Sequence, residues 1–287
     1  MEVRSIGVVG AGQMGNGIAQ VSAQSGLPVV MYDIDGDAAQ KGLDAISRFL
    51  NKAIEKGKLD AARKDSILGK IQASANFNDL KGVDFIVEAA PEKEETKFRI
   101  FRDLDRLCPP GTILSTNTSS IPIGRIAART RRPEKVIGMH FMNPVPLMEL
   151  VEVIRGLATS PETFETTWAL AMRLGKTPAE ANDFPGFIAN RILMPMINEA
   201  VFALYEGVGS SDSIDQVMRL GLKHPMGPLA LADLIGLDTC LGIMETLFEG
   251  FKDSKYRPCP LLRKYVEAGW LGRKSGRGFY VYTRQAD

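Results

Sequence analysis

The chain has 287 residues, enough for two domains of ordinary size, and its 35 Lys and Arg almost cancel its 34 Asp and Glu to leave a formal charge of +1. So balanced a chain carries no general field that would draw nucleic acid or an anionic membrane surface. Three widely spaced cysteines (Cys108, Cys240, Cys259) form no metal-ligand pattern, and no apolar run approaches the ~18 residues of a membrane span. The expectation is a soluble, cytoplasmic protein with reduced thiols and no metal. No signal peptide is expected either, because Ser5-Ile6-Gly7-Val8-Val9 already reads as a strand.

That strand runs into Gly10-Ala11-Gly12-Gln13-Met14-Gly15, a G-x-G-x-x-G turn that opens the helical pattern of Ile18, Ala19, Val21 and Ser22. In such a turn the first glycine allows the bend and the second lets a pyrophosphate approach the backbone. The third lets helix and strand pack closely, and the helix N-terminus faces the phosphates. The next strand, Val29-Val30-Met31-Tyr32-Asp33, ends in an acid at the spacing that bonds a ribose 2′-hydroxyl. A carboxylate there repels a 2′-phosphate, so Asp33 predicts NAD rather than NADP.

Residues 37–70 have helical spacing with a break at Gly57, longer than one crossover helix, and predict a protruding helical hairpin. Lys52, Lys56 and Lys58 lie on it, and by spacing alone they fit a solvated face better than an anion site. Asp84 to Ala89 predicts a strand, Glu94 to Leu107 a helix, and Thr112 to Ser115 another strand. The polar turn Thr116-Asn117-Thr118-Ser119-Ser120 follows, where an open α/β sheet puts its ligands; a helix-capping Ser/Thr turn fits the same residues equally well.

One of only two histidines, His140, stands at the end of the apolar strand Val136-Ile137-Gly138-Met139. Leu150-Val151-Glu152-Val153-Ile154 predicts the next strand, with Glu152 its one acid. A carboxylate beside an imidazole fixes its tautomer and stabilises its cation, the arrangement of a general base; a hydrogen-bonded core histidine is the plainer reading of the same two residues. Pro161 to Leu174 is helical in pattern and Thr177 to Ala181 is a possible last strand. Beyond Pro185-Gly186 the pattern is helical until Gly278-Phe279-Tyr280-Val281-Tyr282, which reads as a strand. The segment Phe187 to Ile197 is apolar on nearly all faces, with Asn190 its polar exception, and predicts a helix covered on every side, partly by a second subunit. The fold class is therefore α/β: a doubly wound, Rossmann-type sheet domain over residues 1–185 and an all-helical domain over 186–287.

These segments carry a family likeness. The glycine loop, Asn117-Thr118-Ser119-Ser120, His140-Phe141-Met142-Asn143-Pro144-Val145-Pro146, Pro185-Gly186-Phe187-Ile188-Ala189-Asn190-Arg191, His224-Pro225-Met226-Gly227-Pro228, Gly236-Leu237-Asp238-Thr239 and the tail from Gly272 to Tyr280 occur in the order found in L-3-hydroxyacyl-CoA dehydrogenases. The chain resembles that family along essentially its whole length, and most of all its short bacterial 3-hydroxybutyryl-CoA members. The resemblance implies that His140 is the base and Glu152 its partner, with Ser119 and Asn190 on the substrate oxygens. It implies that Asn143 helps hold the histidine loop and the nicotinamide in place, and that Glu92, Lys97, Asn117 and Lys274 join Gly10, Gly12, Gln13, Met14, Gly15 and Asp33 around NAD. Lys52 and Lys56 are implied to meet the phosphates of a CoA thioester, against the reading from spacing. His224 is implied to be structural. Two positions depart from the family pattern, Thr116 for serine and Met142 for phenylalanine, and neither removes a reacting group.

The chemistry fits the assignment. An alcohol releases hydride as its proton leaves, so a base titrating near neutral pH is useful, and free histidine titrates at about 6.5. The implied assembly is a homodimer or a multiple of one. Two readings compete with it: a dehydrogenase of the same fold for a non-CoA hydroxy or sugar acid, and a non-catalytic dinucleotide-binding structural protein.

Overall fold

The structure, a computed structural model, describes residues 2–282. The chain divides into two compact units, the first ending at Phe184 and the second beginning at Pro185.

The first unit is an eight-stranded sheet in the order β3-β2-β1-β4-β5-β6-β7-β8. Its strands are β1 (Ile6–Val9), β2 (Val29–Tyr32), β3 (Ile71–Ser74), β4 (Phe85–Glu88), β5 (Ile113–Thr116), β6 (Val136–Phe141), β7 (Leu150–Arg155) and β8 (Thr177–Asn182). The first six run parallel, β7 pairs antiparallel to β6, and β8 runs parallel to β7. Every residue of β1, β4 and β5 is buried, as expected for parallel strands covered on both faces. Strand order reverses between β1 and β4, so the loops leaving their carboxyl ends diverge and open a crevice there.

Six helices connect these strands: α1 (Gln13–Gln24), α2 (Gly36–Glu55), α3 (Ala61–Leu68), α4 (Glu94–Leu107), α5 (Ile123–Ala127) and α6 (Pro161–Arg173). Asp35 caps α2 by accepting the Asp37 N–H, and Asp60 caps α3 through the Arg63 N–H. The buried stripe Ala39, Gly42, Ile46 and Leu50 lays α2 on the sheet, so its early turns serve as a crossover helix and only its end, with exposed Lys52 and Lys56, stands out. The edge strand β3 has no counterpart in the pattern read from the sequence. It is four residues long and buries only Ile71 fully, too short for period-two alternation to register.

The second unit holds α7 (Ala189–Tyr205), α8 (Ser211–Gln216), α9 (Pro228–Ile235), α10 (Leu237–Phe251) and α11 (Pro260–Glu267), with Met194, Ile197, Val201, Leu229, Leu237, Met244 and Leu247 in its core. Two sequence expectations change here. The helix begins at Ala189 rather than Phe187 because Gly186 and Phe187 take positive φ; within the single chain Met194, Ile197 and Val201 are buried while Ile192 is 67% exposed. The tail forms no strand among the described residues, only two isolated bridges, Gly272–Arg277 and Arg277–Val281. Its N–H groups are used elsewhere: Asp233, 1% exposed, accepts those of Phe279 and Tyr280 at 3.0 Å each and the Tyr282 hydroxyl. Among the described residues no helix is long and apolar enough to cross a membrane.

Candidate active site

The glycine loop joins β1 to α1. Gly10 has φ +103°, and a Cβ there would meet the Ala89 carbonyl oxygen at 2.7 Å; a Cβ on Gly15 would meet the Gly10 oxygen at 1.7 Å. Only glycine fits either position, and the α1 N-terminus is left as an anion cradle. Gln13 and Met14 open the helix, and a Cβ on Gly12 would point into open space, the direction from which a pyrophosphate approaches. Asp33, just past β2, is fixed by accepting the Ala11 N–H at 2.8 Å. Beside it lies a cleft of ≈ 390 Å³ lined by Gly10, Tyr32, Asp33, Ile34, Phe77 and Ile100, with Tyr32 and Phe77 edge to face at 5.1 Å. An apolar slot, a carboxylate at its rim and a glycine-lined helix end suit the adenosine, ribose and pyrophosphate of a dinucleotide.

Farther along the same carboxyl edge, β6 and β7 bring His140 directly opposite Glu152 in the antiparallel ladder. Residues so paired hold their Cβ atoms about 5 Å apart, which two side chains can close. His140 Nδ1 lies 2.7 Å from Glu152 Oε2. The histidine is 8% exposed and the carboxylate 1%. A carboxylate accepts only, so Nδ1 carries the proton in this bond and the lone pair of the neutral ring is on Nε2.

The turn after β5 is tied to this pair and to β4. Ladder pairing between β5 and β6 ends at Thr116–Gly138, and the Asn117 side-chain oxygen then accepts the Phe141 N–H at 2.8 Å, carrying the connection one step toward His140. Glu92 takes the Thr118 hydroxyl at 2.6 Å, the Ser119 and Ser120 N–H groups at 2.9 and 3.0 Å, and the Ser119 and Ser120 hydroxyls at 3.3 and 2.9 Å, all on Oε1. Burial alone would raise the Glu92 carboxyl; the nearby Lys97 ammonium and these bonds outweigh it and hold the group below the usual carboxylate range. Lys97 itself is 1% exposed and donates to Glu88 at 2.7 Å.

The other expected residues fall as follows. Asn143 is exposed in the loop after β6, and that loop packs on α1, since a Cβ at Gly17 would meet Val145 Cβ at 2.8 Å. Lys52 lies in the last turn of α2 and Lys56 caps it, both exposed. In the second unit Asn190 is the second residue of α7, and Lys274 is paired with Asp238 at 2.5 and 2.7 Å.

Two residues, Glu88 and Lys176, were not singled out by the sequence, and Thr116 of the polar turn is bound to the first of them. Glu88 is wholly buried at the end of β4; Thr116 donates its hydroxyl to Glu88 at 2.7 Å; Lys176 donates to the Val145 and Met148 carbonyls at 2.6 and 2.8 Å and anchors the loop behind His140. An acid closing an otherwise apolar four-residue strand is the signal that points to Glu88. Nothing local marks Lys176.

Residues 5–184 match the family described as 3-hydroxyacyl-CoA dehydrogenase, NAD binding domain, and residues 186–282 match its C-terminal domain. The chain belongs to the 3-hydroxyacyl-CoA dehydrogenase family. It is therefore an NAD-dependent oxidoreductase, and the glycine loop, Asp33 and the adjoining cleft are the groups that fit NAD. A probable 3-hydroxybutyryl-CoA dehydrogenase of Bacillus subtilis is 58% identical over 285 residues, covering 99% of each chain. The 3-hydroxybutyryl-CoA dehydrogenase of Bradyrhizobium diazoefficiens is 55% identical over 98% of this chain and 96% of its own. The crystal structure of (S)-3-hydroxybutyryl-CoA dehydrogenase from Ralstonia eutropha superposes with a TM-score of 0.97 at 51% identity, covering 99% of this chain and all of that one.

Proposed function

We propose that this 3-hydroxyacyl-CoA dehydrogenase interconverts (S)-3-hydroxybutyryl-CoA and acetoacetyl-CoA, with His140 as base and Glu152 as its partner. The observation that carries the reading is the 2.7 Å His140–Glu152 bond at the carboxyl edge of a sheet whose first turn is a dinucleotide loop. NAD, held by the glycine loop and Asp33, would supply the hydride acceptor for C3, and the protein's own part is the hydroxyl proton. His140 takes that proton from the 3-hydroxyl at Nε2. Glu152 stabilises the imidazolium that results, and in reduction His140 returns the proton to the ketone oxygen.

Ser119 and Asn190 are assigned to the substrate oxygens, where each donor adds electrostatic stabilisation of a few kcal/mol when well aimed. Asp33 holds the adenosine ribose. Asn143 would help hold the histidine loop and the nicotinamide, and Glu92, Lys97, Asn117 and Lys274 belong to the cofactor's surroundings. Lys52 and Lys56 meet the CoA phosphates; both are exposed and close together at the end of α2, which suits a diffuse anion. The enzyme is proposed to be cytoplasmic and to work as a homodimer or a multiple of one, formed through α7, whose Ile192 is exposed. Light scattering giving a stable monomer at micromolar concentration contradicts that assembly.

NADH oxidation measured with acetoacetyl-CoA, its longer homologues and free acetoacetate tests the reading. Fast turnover of the four-carbon thioester with none of the free acid is expected. Equal rates with the free acid would instead leave Lys52 and Lys56 idle and favour a non-CoA substrate.

A further inference from the structure

Behind the end of β6 stands a lysine that the reaction scheme does not use. Lys176 is 9% exposed, and burial lowers its pKa from the ordinary lysine value against the pull of the Glu149 carboxylate. Its Nζ donates to the Val145 carbonyl at 2.6 Å and to the Met148 carbonyl at 2.8 Å. The backbone beneath it is fixed by the close of α6: the Gly175 N–H goes to the Met172 carbonyl at 2.9 Å and the Lys176 N–H to the Ala171 carbonyl at 3.0 Å, a Schellman ending. The next residue enters β8 with its N–H on the Glu149 carbonyl at 2.8 Å. From the other side the loop 142–149 is met by α1. A Cβ on Gly17 would stand 2.8 Å from Val145 Cβ and 3.5 Å from Pro146 Cδ, so the loop seats on bare helix backbone. Between these supports it closes on itself, the Pro144 carbonyl accepting the Leu147 and Met148 N–H groups at 3.0 Å each.

We propose that Lys176 is a positioning residue for hydride transfer. Together with the bare face of α1 at Gly17 it clamps the loop 142–149, and the clamp sets Asn143 and the strand end carrying His140 against the helix that receives the dinucleotide. The inference rests on the reading of His140 as base and of Asn143 as a support of the nicotinamide. A buried ammonium held by neutral carbonyls is a costly way to fill space, and an apolar chain of similar length would pack as well. What the ammonium adds is donors that reach two carbonyls of a loop lying outside the strand ladder. The second support ties that loop to the cofactor. Because α1 opens on the glycine loop, a shift of Val145 away from Gly17 is a shift away from the phosphate cradle. A displacement of about 1 Å at a reacting centre can cost on the order of 10²-fold in rate, so a movement too small to disturb the fold is enough.

Lys176→Met keeps the length of the chain and removes the donors, and Lys176→Arg keeps charged donors. Gly17→Ala, a change that favours the helix, presses on Val145 from the opposite side. Each variant is checked by thermal unfolding and compared with the unaltered enzyme in three ways: amide hydrogen exchange of Leu147 and Met148, NADH affinity by fluorescence, and the rate of NADH oxidation in a single turnover at saturating acetoacetyl-CoA. Slowing by deuterium at the transferred position of NADH identifies the step seen as hydride transfer. In Lys176→Met, protection of the two amides is expected to fall about tenfold or more, the equivalent of roughly one lost hydrogen bond. The single-turnover rate is expected to fall about 10- to 100-fold. NADH affinity is expected to change little, since the glycine loop and Asp33 are untouched. Gly17→Ala is expected to slow the same step with Lys176 in place, and Lys176→Arg to recover most of the rate. Lost protection with an unchanged single-turnover rate overturns the proposal and leaves Lys176 a part of the fold alone. A raised KM for acetoacetyl-CoA at an unchanged rate overturns it too, and makes Lys176 a substrate contact. If Lys176→Met does not fold, Gly17→Ala decides, and an unchanged rate there overturns the clamp. If the unaltered enzyme ignores acetoacetyl-CoA, or His140→Gln keeps its rate, the failure belongs to the proposed function; the single-turnover rate of Lys176→Met, taken with the ketone the enzyme does reduce, still decides the clamp.

Discussion

Two buried acid–base pairs stand at the carboxyl edge of the sheet and are built in opposite ways. His140 and Glu152 face each other across an antiparallel ladder and share one bond of 2.7 Å. Lys97 and Glu88 join a helix to the end of a parallel strand, also at 2.7 Å, with the ammonium donating as well to the Ala90 carbonyl and paired with Glu92 at 3.4 Å. The first pair includes an imidazole, whose second ring nitrogen remains to exchange a proton with a substrate; the second includes an ammonium, which can only donate. Similar geometry therefore supports different work. One pair is able to change charge during a turnover, and the other is suited only to hold still.

Breaking the first pair is expected to have the largest consequence. His140→Gln removes the base and is expected to lower kcat by about 10²- to 10⁴-fold, the usual worth of general acid–base catalysis, with NADH binding retained. Near-normal kcat in a folded variant refutes the assignment. Glu152→Gln keeps the shape of the partner and removes its charge; a drop of about 10- to 100-fold is expected, the scale on which orienting partners act. An unchanged rate would make Glu152 a bystander.

Away from both pairs, Asp33→Ala removes a charge-assisted bond to the ribose and is expected to cost roughly tenfold in kcat/KM with NADH while relieving the bar on NADPH. Equal kcat/KM for NADH and NADPH in the unaltered enzyme contradicts the reading of Asp33. Lys56→Ala is expected to raise KM for acetoacetyl-CoA only a few-fold, less at high salt, because an exposed pairing is weak and screened. The NADH KM serves as its control, and an unchanged thioester KM returns Lys56 to a solvated face.

The smallest effect sharpens the contrast through pH. Glu92 has its folded carboxyl below the usual range, so its grip on Ser119 and Ser120 is complete above the unfolded carboxylate pKa and is lost as pH falls through the folded one. Amide protection of the turn, corrected for intrinsic exchange, is expected to stay flat from pH 7 to 5 and to fall only in stronger acid. A decline already between pH 7 and 6 contradicts an ionised, tightly held Glu92.

The two pairs also differ in how readily a sequence reveals them. His140 and Glu152 end or interrupt apolar strands of otherwise uniform character, so each is conspicuous and a simple strand pairing brings them together. The glycine loop and Asp33 are legible for a similar reason: their spacing is local and one motif contains them. Glu88 and Lys97 are nine residues apart with a strand end, a turn and a helix start between them; Glu88 closes an apolar strand, but Lys97 looks like an ordinary surface charge. Only the packing of α4 against the sheet puts the ammonium inside. The edge strand β3 was hidden by its shortness. The tail has the alternation of a strand, but its N–H groups are taken by Asp233, a partner more than forty residues away, rather than by a neighbouring strand.

The central claim is that Glu152 acts on the reaction through His140, and a double-mutant cycle on kcat tests it most directly. His140→Gln, Glu152→Gln and the double variant are compared with the unaltered enzyme in acetoacetyl-CoA reduction, each with its fold verified by thermal unfolding. If Glu152 works only by orienting and stabilising the imidazole, its replacement costs nothing further once His140 is gone, and the double variant matches His140→Gln. A double variant slower than His140→Gln by the full Glu152→Gln factor would mean that the carboxylate acts on its own, and would contradict the account.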